Sequence, residues 1–270
     1  MKTLKHFRIR INYQGTNYSG WQVQPNAPTI QMAIEQVIAK LTGEAIRIHG
    51  SGRTDSGVHA LGQVAHFKVH TTFDTKGLLK GMNALLPDDI IITDVQQTDP
   101  SFHSRYDAIG KHYMYIVHQG QFPFLWSRFY STLLKNNLSI ENIRQAASSF
   151  IGTHHFRSFC AVSDNKNEIY DRTIYDFRID YHPPFIFFNV LGKSFLYKMV
   201  RFMVGTLIKI GLGKESPDFI NNVFAAPDRY KTGPVAPAKG LTLMNVFYTP
   251  PIKLPPPEEF CNFFRLFDVL

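Results

Sequence analysis

Gly50-Ser51-Gly52-Arg53-Thr54-Asp55-Ser56-Gly57-Val58-His59-Ala60-Leu61-Gly62-Gln63-Val64-Ala65-His66-Phe67 puts one carboxylate, one guanidinium and four glycines on a short stretch that then alternates like a strand. Glycine reaches backbone angles closed to other residues and leaves room beside the main chain. A glycine-framed Arg53-Thr54-Asp55 is therefore suited to holding an acid close to something bulky. Ile46 and Ile48 lead into this loop with the period of a strand, and Ala65, Phe67 and Val69 alternate as the chain leaves it. The acid is expected between two strands.

Working outward, Phe7, Ile9, Ile11 and Tyr13 alternate as an opening strand. Thr29 precedes the helical stripe Ile30, Ala33, Ile34, Val37, Ile38 and Leu41, which stops at Gly43 and predicts a capped helix over 30–42. Leu78, Leu79, Met82 and Leu85 predict a second helix closed by Pro87, and a strand follows at 90–95. Tyr113, Tyr115 and Val117 alternate before a loop at 119–124. In the second half Ser139 caps another stripe, Tyr175 to Tyr181 alternate into a hairpin with 185–191, and a long helix is expected from Ser194 to Ile210. A shorter helix capped by Ser216-Pro217-Asp218 and a strand over 241–248 complete it. These elements predict an α+β fold of two pseudo-duplicated α/β halves, with mainly antiparallel sheets and a central positively charged cleft. Residues 1–105 form the first half, 106–249 the second, and 250–270 a Pro/Phe-rich tail expected to dock on the body.

The chain has 270 residues, of which 29 are Lys or Arg and 21 Asp or Glu, giving a formal charge of +8. That excess points to a polyanionic partner, since Lys and Arg neutralise phosphates and release counterions. Only Cys160 and Cys261 are present, which excludes a disulfide framework and a thiolate metal site and suits a reducing, cytoplasmic setting. Met1 to His6 shows no apolar signal core, and no segment reaches the roughly 18 apolar residues of a membrane span. The eleven histidines include no His-Glu-x-x-His, and no Walker or Rossmann glycine pattern occurs, so neither metal nor cofactor is expected.

Asp55 by itself has three readings. Asp-Ser-Gly is a common turn in which the carboxylate accepts backbone hydrogen bonds. It is also half of an aspartic-protease dyad, but that dyad needs a second such motif, and this chain has none. The third reading is a lone nucleophile or base. A hydrolase triad of Asp55, Ser56 and His59 is excluded, because neighbours in one tight loop cannot orient a proton relay. The helix expected over 194–210 puts Phe195, Met199, Met203, Leu207 and Ile210 on one stripe and Lys198, Arg201, Gly205 and Lys209 on another, a basic face with a glycine gap.

The flanking residues sharpen the choice. Gly50 to Ala60 resembles the catalytic motif of the tRNA pseudouridine synthase A family, a glycine-rich Gly-Arg-Thr-Asp-x-Gly-Val-His-Ala. Further blocks resemble the family in the same order: Tyr13-Gln14-Gly15-Thr16, Gly20-Trp21-Gln22-x-Gln24, Phe102-His103-Ser104-Arg105, Lys111-x-Tyr113-x-Tyr115, Gly152-Thr153-His154-His155-Phe156, Phe195 to Gly205, and Ala236 to Leu243. The family often has His-Asp-Phe where this chain has His154-His155-Phe156, a departure that touches no catalytic position.

The resemblance implies a pseudouridine synthase fold and cofactor-free isomerisation of uridine at positions 38, 39 and 40 in the anticodon arm of tRNA, by a homodimer. The N1–C1' bond breaks, the uracil turns, and the base rejoins through C5. Asp55 is then the catalytic carboxylate, acting by covalent attack on the nucleotide or by proton abstraction from the ribose. Arg201 is its partner, since a neighbouring guanidinium favours a charged carboxylate. Tyr113 stacks on the uracil, and Arg53 sits beside the flipped nucleotide. Phe102, His103, Arg105 and Tyr106 contact RNA, as do Lys198 and, from the polar run 163–168, Lys166. A catalytically idle tRNA-binding chaperone on the same fold is the alternative.

Overall fold

The computed structural model describes residues 1–161, 168–228 and 231–257. Strand β1 (Thr3–Tyr13) forms because alternate residues in its middle bury completely: Phe7, Ile9 and Ile11 are 0% exposed, each contributing about 1.5–3 kcal/mol of burial. It pairs antiparallel with β3 (His59–Thr71) on one side and with β4 (Ile90–Gln97) on the other. Helix α1 (Ile30–Thr42) starts where the Thr29 hydroxyl accepts from the Met32 N–H, and stops at Gly43, whose φ of 76° is left-handed. Helix α2 (Thr75–Leu85) is capped by Asp74, which accepts from the Gly77 N–H.

The strand expected from Ile46 shrinks to β2 (His49–Gly50). Helix α1 takes its backbone groups: the Ile48 N–H donates to Glu35, and the Ile48 carbonyl accepts from the Gln31 amide. Those groups are thus withdrawn from the ladder.

The second half comprises β5 (Gly110–Gln119), β6 (Thr132–Leu134), α3 (Ile140–Ser148), β7 (Gly152–His155), β8 (Asp171–His182), β9 (Phe185–Gly192), α4 (Met199–Gly211), α5 (Phe219–Ala225) and β10 (Leu241–Phe247). Neither β6 nor β7 has an apolar alternation that announces it. The long helix expected from Ser194 begins only at Met199. Lys198 has φ 60°, and the Tyr197 carbonyl accepts from the Ala161 N–H, so the chain turns there before the helix starts.

The two halves share one ten-stranded sheet of order β4-β1-β3-β10-β5-β9-β8-β7, with β2 added to β3 and β6 to β5. Strand β10 is the join. It runs parallel to β3, with Thr242 opposite His59, and antiparallel to β5, with Leu243 opposite Tyr113. The last strand among the described residues is thereby inserted between the strand that follows the Asp55 loop and the strand that carries Tyr113. One continuous hydrophobic core spans both halves, and a smaller cluster of Met114, Ile116, Phe185 and Phe187 forms around even-numbered β5 positions. At the start of the tail Leu254 is buried, and Ile252 lies so close to Gly110 that a Cβ there would come within 2.9 Å of it. Residues 258–270, and Lys166 with its neighbours 162–167, lie outside the described residues.

Candidate active site

The loop from Ser51 to Val58 is fixed at both ends by hydrogen bonds that its sequence prescribes. Ser51 donates its N–H to the Val64 carbonyl and its hydroxyl to Gln63, while the Gln63 amide donates to the Gly52 carbonyl. Further along, the Thr54 carbonyl accepts from the Trp21 N–H, and the Thr54 hydroxyl shares a 2.8 Å hydrogen bond with Tyr13. Gly20 permits this approach. At φ +92° it lies so near that a Cβ would meet the Thr54 carbonyl oxygen at 2.6 Å. The Val58 N–H closes a turn on the Asp55 carbonyl, with Gly57 in the left-handed region at φ +77°.

His59 anchors the far end. Its Nδ1 accepts from the Gly15 N–H at 3.0 Å, so the proton belongs on Nε2, which donates to the carbonyls of Phe129 and Lys239. Burial pushes this imidazole down from its ordinary pKa, in keeping with a neutral ring. Residues 15, 129 and 239 are thereby tied to the base of the Asp55 loop. Nothing in the spacing of Val58-His59-Ala60 announces a clamp.

Asp55 meets Arg201 across the join between the halves. The Arg201 Nη1 donates to Asp55 Oδ2 at 2.6 Å, and the two side chains are 13% and 16% exposed. Arg201 is itself held: its Nε donates to the Ala236 carbonyl at 2.7 Å, and its own carbonyl accepts from the Ala236 N–H. The segment 233–236 lies flat on α4 because Gly205 has no side chain; a Cβ there would sit 1.8 Å from the Pro234 carbonyl oxygen. Gly205→Ala is therefore expected to lower stability by about 1–3 kcal/mol through overpacking. Its melting temperature should fall by several degrees, with loss of the Arg201 setting. An unchanged melting curve would count against this contact.

Tyr113 completes the cluster from β5. It is 8% exposed, packs edge-on against Phe195 with ring centres 5.1 Å apart, and lies close enough to Asp55 to feel its charge. Burial, with Tyr13 and Asp55 adding to it, pushes the phenol far above its usual range, so Tyr113 keeps its proton. Tyr115, one pleat further, donates to the Pro237 carbonyl and packs under Gly240, fixing the segment that positions Arg201.

Other sequence-singled residues lie around this core. Arg53 is exposed on the same loop. The 102–107 segment is ordered about His103, whose Nδ1 accepts from the N–H groups of Arg105 and Tyr106 while its ring lies 4.1 Å from that of Tyr106. Tyr106 is 75% exposed and Arg105 is exposed. Phe102 packs on Tyr248, with the Arg8 guanidinium over both rings. Lys198 stands before α4, with its ammonium over the Tyr197 ring, and so leaves the helical stripe expected to carry it with Arg201. Among the described residues no group of three His, Cys, Asp or Glu side chains is arranged to hold a metal ion.

A family model described as tRNA pseudouridine synthase matches residues 9–107 and 146–249, segments that include Asp55 and Arg201. Proteins called tRNA pseudouridine synthase A from Thermoanaerobacter sp. (strain X514) and Acetivibrio thermocellus are each 41% identical to this chain over 91% of its length and all of theirs. The protein of the same name from Clostridium kluyveri is 42% identical with the same coverage. Matches of that extent leave no large part of the described fold unaccounted for, and this chain belongs to the tRNA pseudouridine synthase family.

Proposed function

We propose that this chain isomerises uridine to pseudouridine in tRNA, with Asp55 as the catalytic carboxylate, and that it acts at positions 38, 39 and 40 of the anticodon arm as a cytoplasmic homodimer. The observation that carries the catalytic assignment is the Asp55–Arg201 ion pair, formed beside Tyr113 by residues 146 positions apart. The Arg201 guanidinium holds the Asp55 carboxylate at one fixed place, as either attack on the nucleotide or abstraction of a ribose proton requires. Tyr113, protonated and mostly buried, offers a ring face to a uracil turned out of its helix, and the net charge of +8 suits a polyanion. Arg53, exposed on the same loop, then fills the space the base vacates. Phe102, His103, Arg105, Tyr106 and Lys198 supply aromatic and cationic groups for the surrounding RNA.

Incubation of the purified chain with unmodified tRNA, followed by mapping of pseudouridine, tests the assignment of substrate positions. Product is expected at uridines 38, 39 and 40 and nowhere else. Product confined to another arm would overturn the anticodon-arm reading, and sedimentation of the free protein as a monomer would overturn the dimer.

A further inference from the structure

Lys111 has a setting that nothing above requires. It stands two residues before Tyr113 on β5, so the two side chains share one face of the strand about 7 Å apart, on the scale of one nucleotide. Its ammonium reaches back to the catalytic loop and donates to the Ser51 carbonyl at 2.6 Å. An ammonium has three N–H groups, and among the described residues only that one acceptor and no carboxylate lies within bonding range of it. Gly52 makes room for the ammonium itself: a Cβ there would sit 2.8 Å from Nζ. The charge facing it is Arg105, a second cation, delivered by the ordered 102–107 segment. Burial, reinforced by Arg105, pushes Lys111 down to about 8. Lys111, drawn away from solvent with the exposed Arg105 as a second cation nearby, is short of an anion, and the site lies beside the residues assigned to the uridine.

We propose that Lys111, with Arg105 beside it, binds a backbone phosphate of the RNA at or next to the target nucleotide. The inference rests on the tRNA isomerase reading for the identity of the polyanion. A phosphate at Nζ accepts the two unused N–H groups, offsets the Arg105 charge, and fixes the sugar of the uridine relative to Asp55. Lys111 is thus a substrate-binding residue, and its bond to Ser51 makes the catalytic loop part of the same anchor.

The test uses the full chain and an unmodified anticodon stem-loop RNA, with affinity measured across a series of salt concentrations at pH 7. Lys111→Met is expected to bind about tenfold more weakly, with the slope of log K against log salt shallower by about 0.7–0.9, the share of one phosphate. Lys111→Arg should restore the slope. In turnover the methionine variant should lose most in KM. Calorimetry of the wild type at pH 8 should record uptake of about half a proton on binding, because a phosphate raises a lysine that titrates near that pH; Lys111→Met should lack it. This wild-type measurement stands even where the variant folds poorly. Unchanged affinity and slope with a reduced kcat, or no proton uptake by the wild type, would overturn the proposal and leave Lys111 as a strut for Ser51. A retained slope difference together with no pseudouridine formed by the wild type would instead count against the isomerase reading.

Discussion

Asp55→Asn is expected to bind unmodified tRNA as the wild type does while forming pseudouridine at least about 10³-fold more slowly. The amide is the same size as the carboxylate and can still accept from Arg201, so the loop fixed by Ser51, Gln63, Thr54 and His59 has no reason to move. What it loses is the charge that both candidate chemistries use. Pseudouridine quantified in single turnover, alongside a filter-binding isotherm, separates the two outcomes. Equal product from both proteins would remove Asp55 from the chemistry, and loss of binding with turnover per bound tRNA preserved would assign it to recognition.

Arg201→Met carries the second large effect. The variant removes the partner of an acid that is 16% exposed, and breaking a buried pair from one side costs about 3–5 kcal/mol, less here because some water reaches it. It also frees the Ala236 carbonyl that Arg201 now caps. Turnover should fall by about 10²-fold or more while tRNA affinity stays within about tenfold, since at most one phosphate contact is lost. Measured kcat and tRNA affinity decide it: a collapse of affinity with kcat retained would make Arg201 an RNA contact rather than the partner of Asp55.

Much of the fold is legible in the sequence because its strands and helices bury one face each. The alternation of Phe7, Ile9 and Ile11 and the stripe after Thr29 translate directly into β1 and α1. Where expectation and structure part, tertiary hydrogen bonds win over local pattern. Ile46 and Ile48 alternate as a strand should, yet Glu35 and Gln31 capture the Ile48 backbone. The stripe through Phe195 looks helical, yet residue 198 turns left-handed and the helix waits for Met199. The insertion of β10 between β3 and β5 is invisible in any local window, because its partners are about 180 and 130 residues away.

The site divides in the same way. Asp55 stands out by its glycines, while Arg201 and Tyr113 are singled out by resemblance and sit in segments that pattern alone reads as a solvated helix face and a core strand. The supports had no signal of their own. His59 as a clamp, Ala236 as the acceptor for Arg201, and Lys111 on the Ser51 carbonyl each depend on backbone atoms of distant segments, and side-chain chemistry along the sequence does not encode them.

Moving the glycosidic bond from N1 to C5 of a uracil requires that the hydrogen at C5 leave. Tritium release from tRNA carrying [5-³H]uridine in the anticodon arm, compared between wild type and Asp55→Asn at saturating protein, therefore tests most directly whether the Asp55–Arg201 site performs this isomerisation. The wild type should release one tritium for each pseudouridine formed, and Asp55→Asn should release none above background while still retaining the tRNA. Undiminished release by Asp55→Asn, or retention of tritium by a wild type that binds the tRNA, would contradict it.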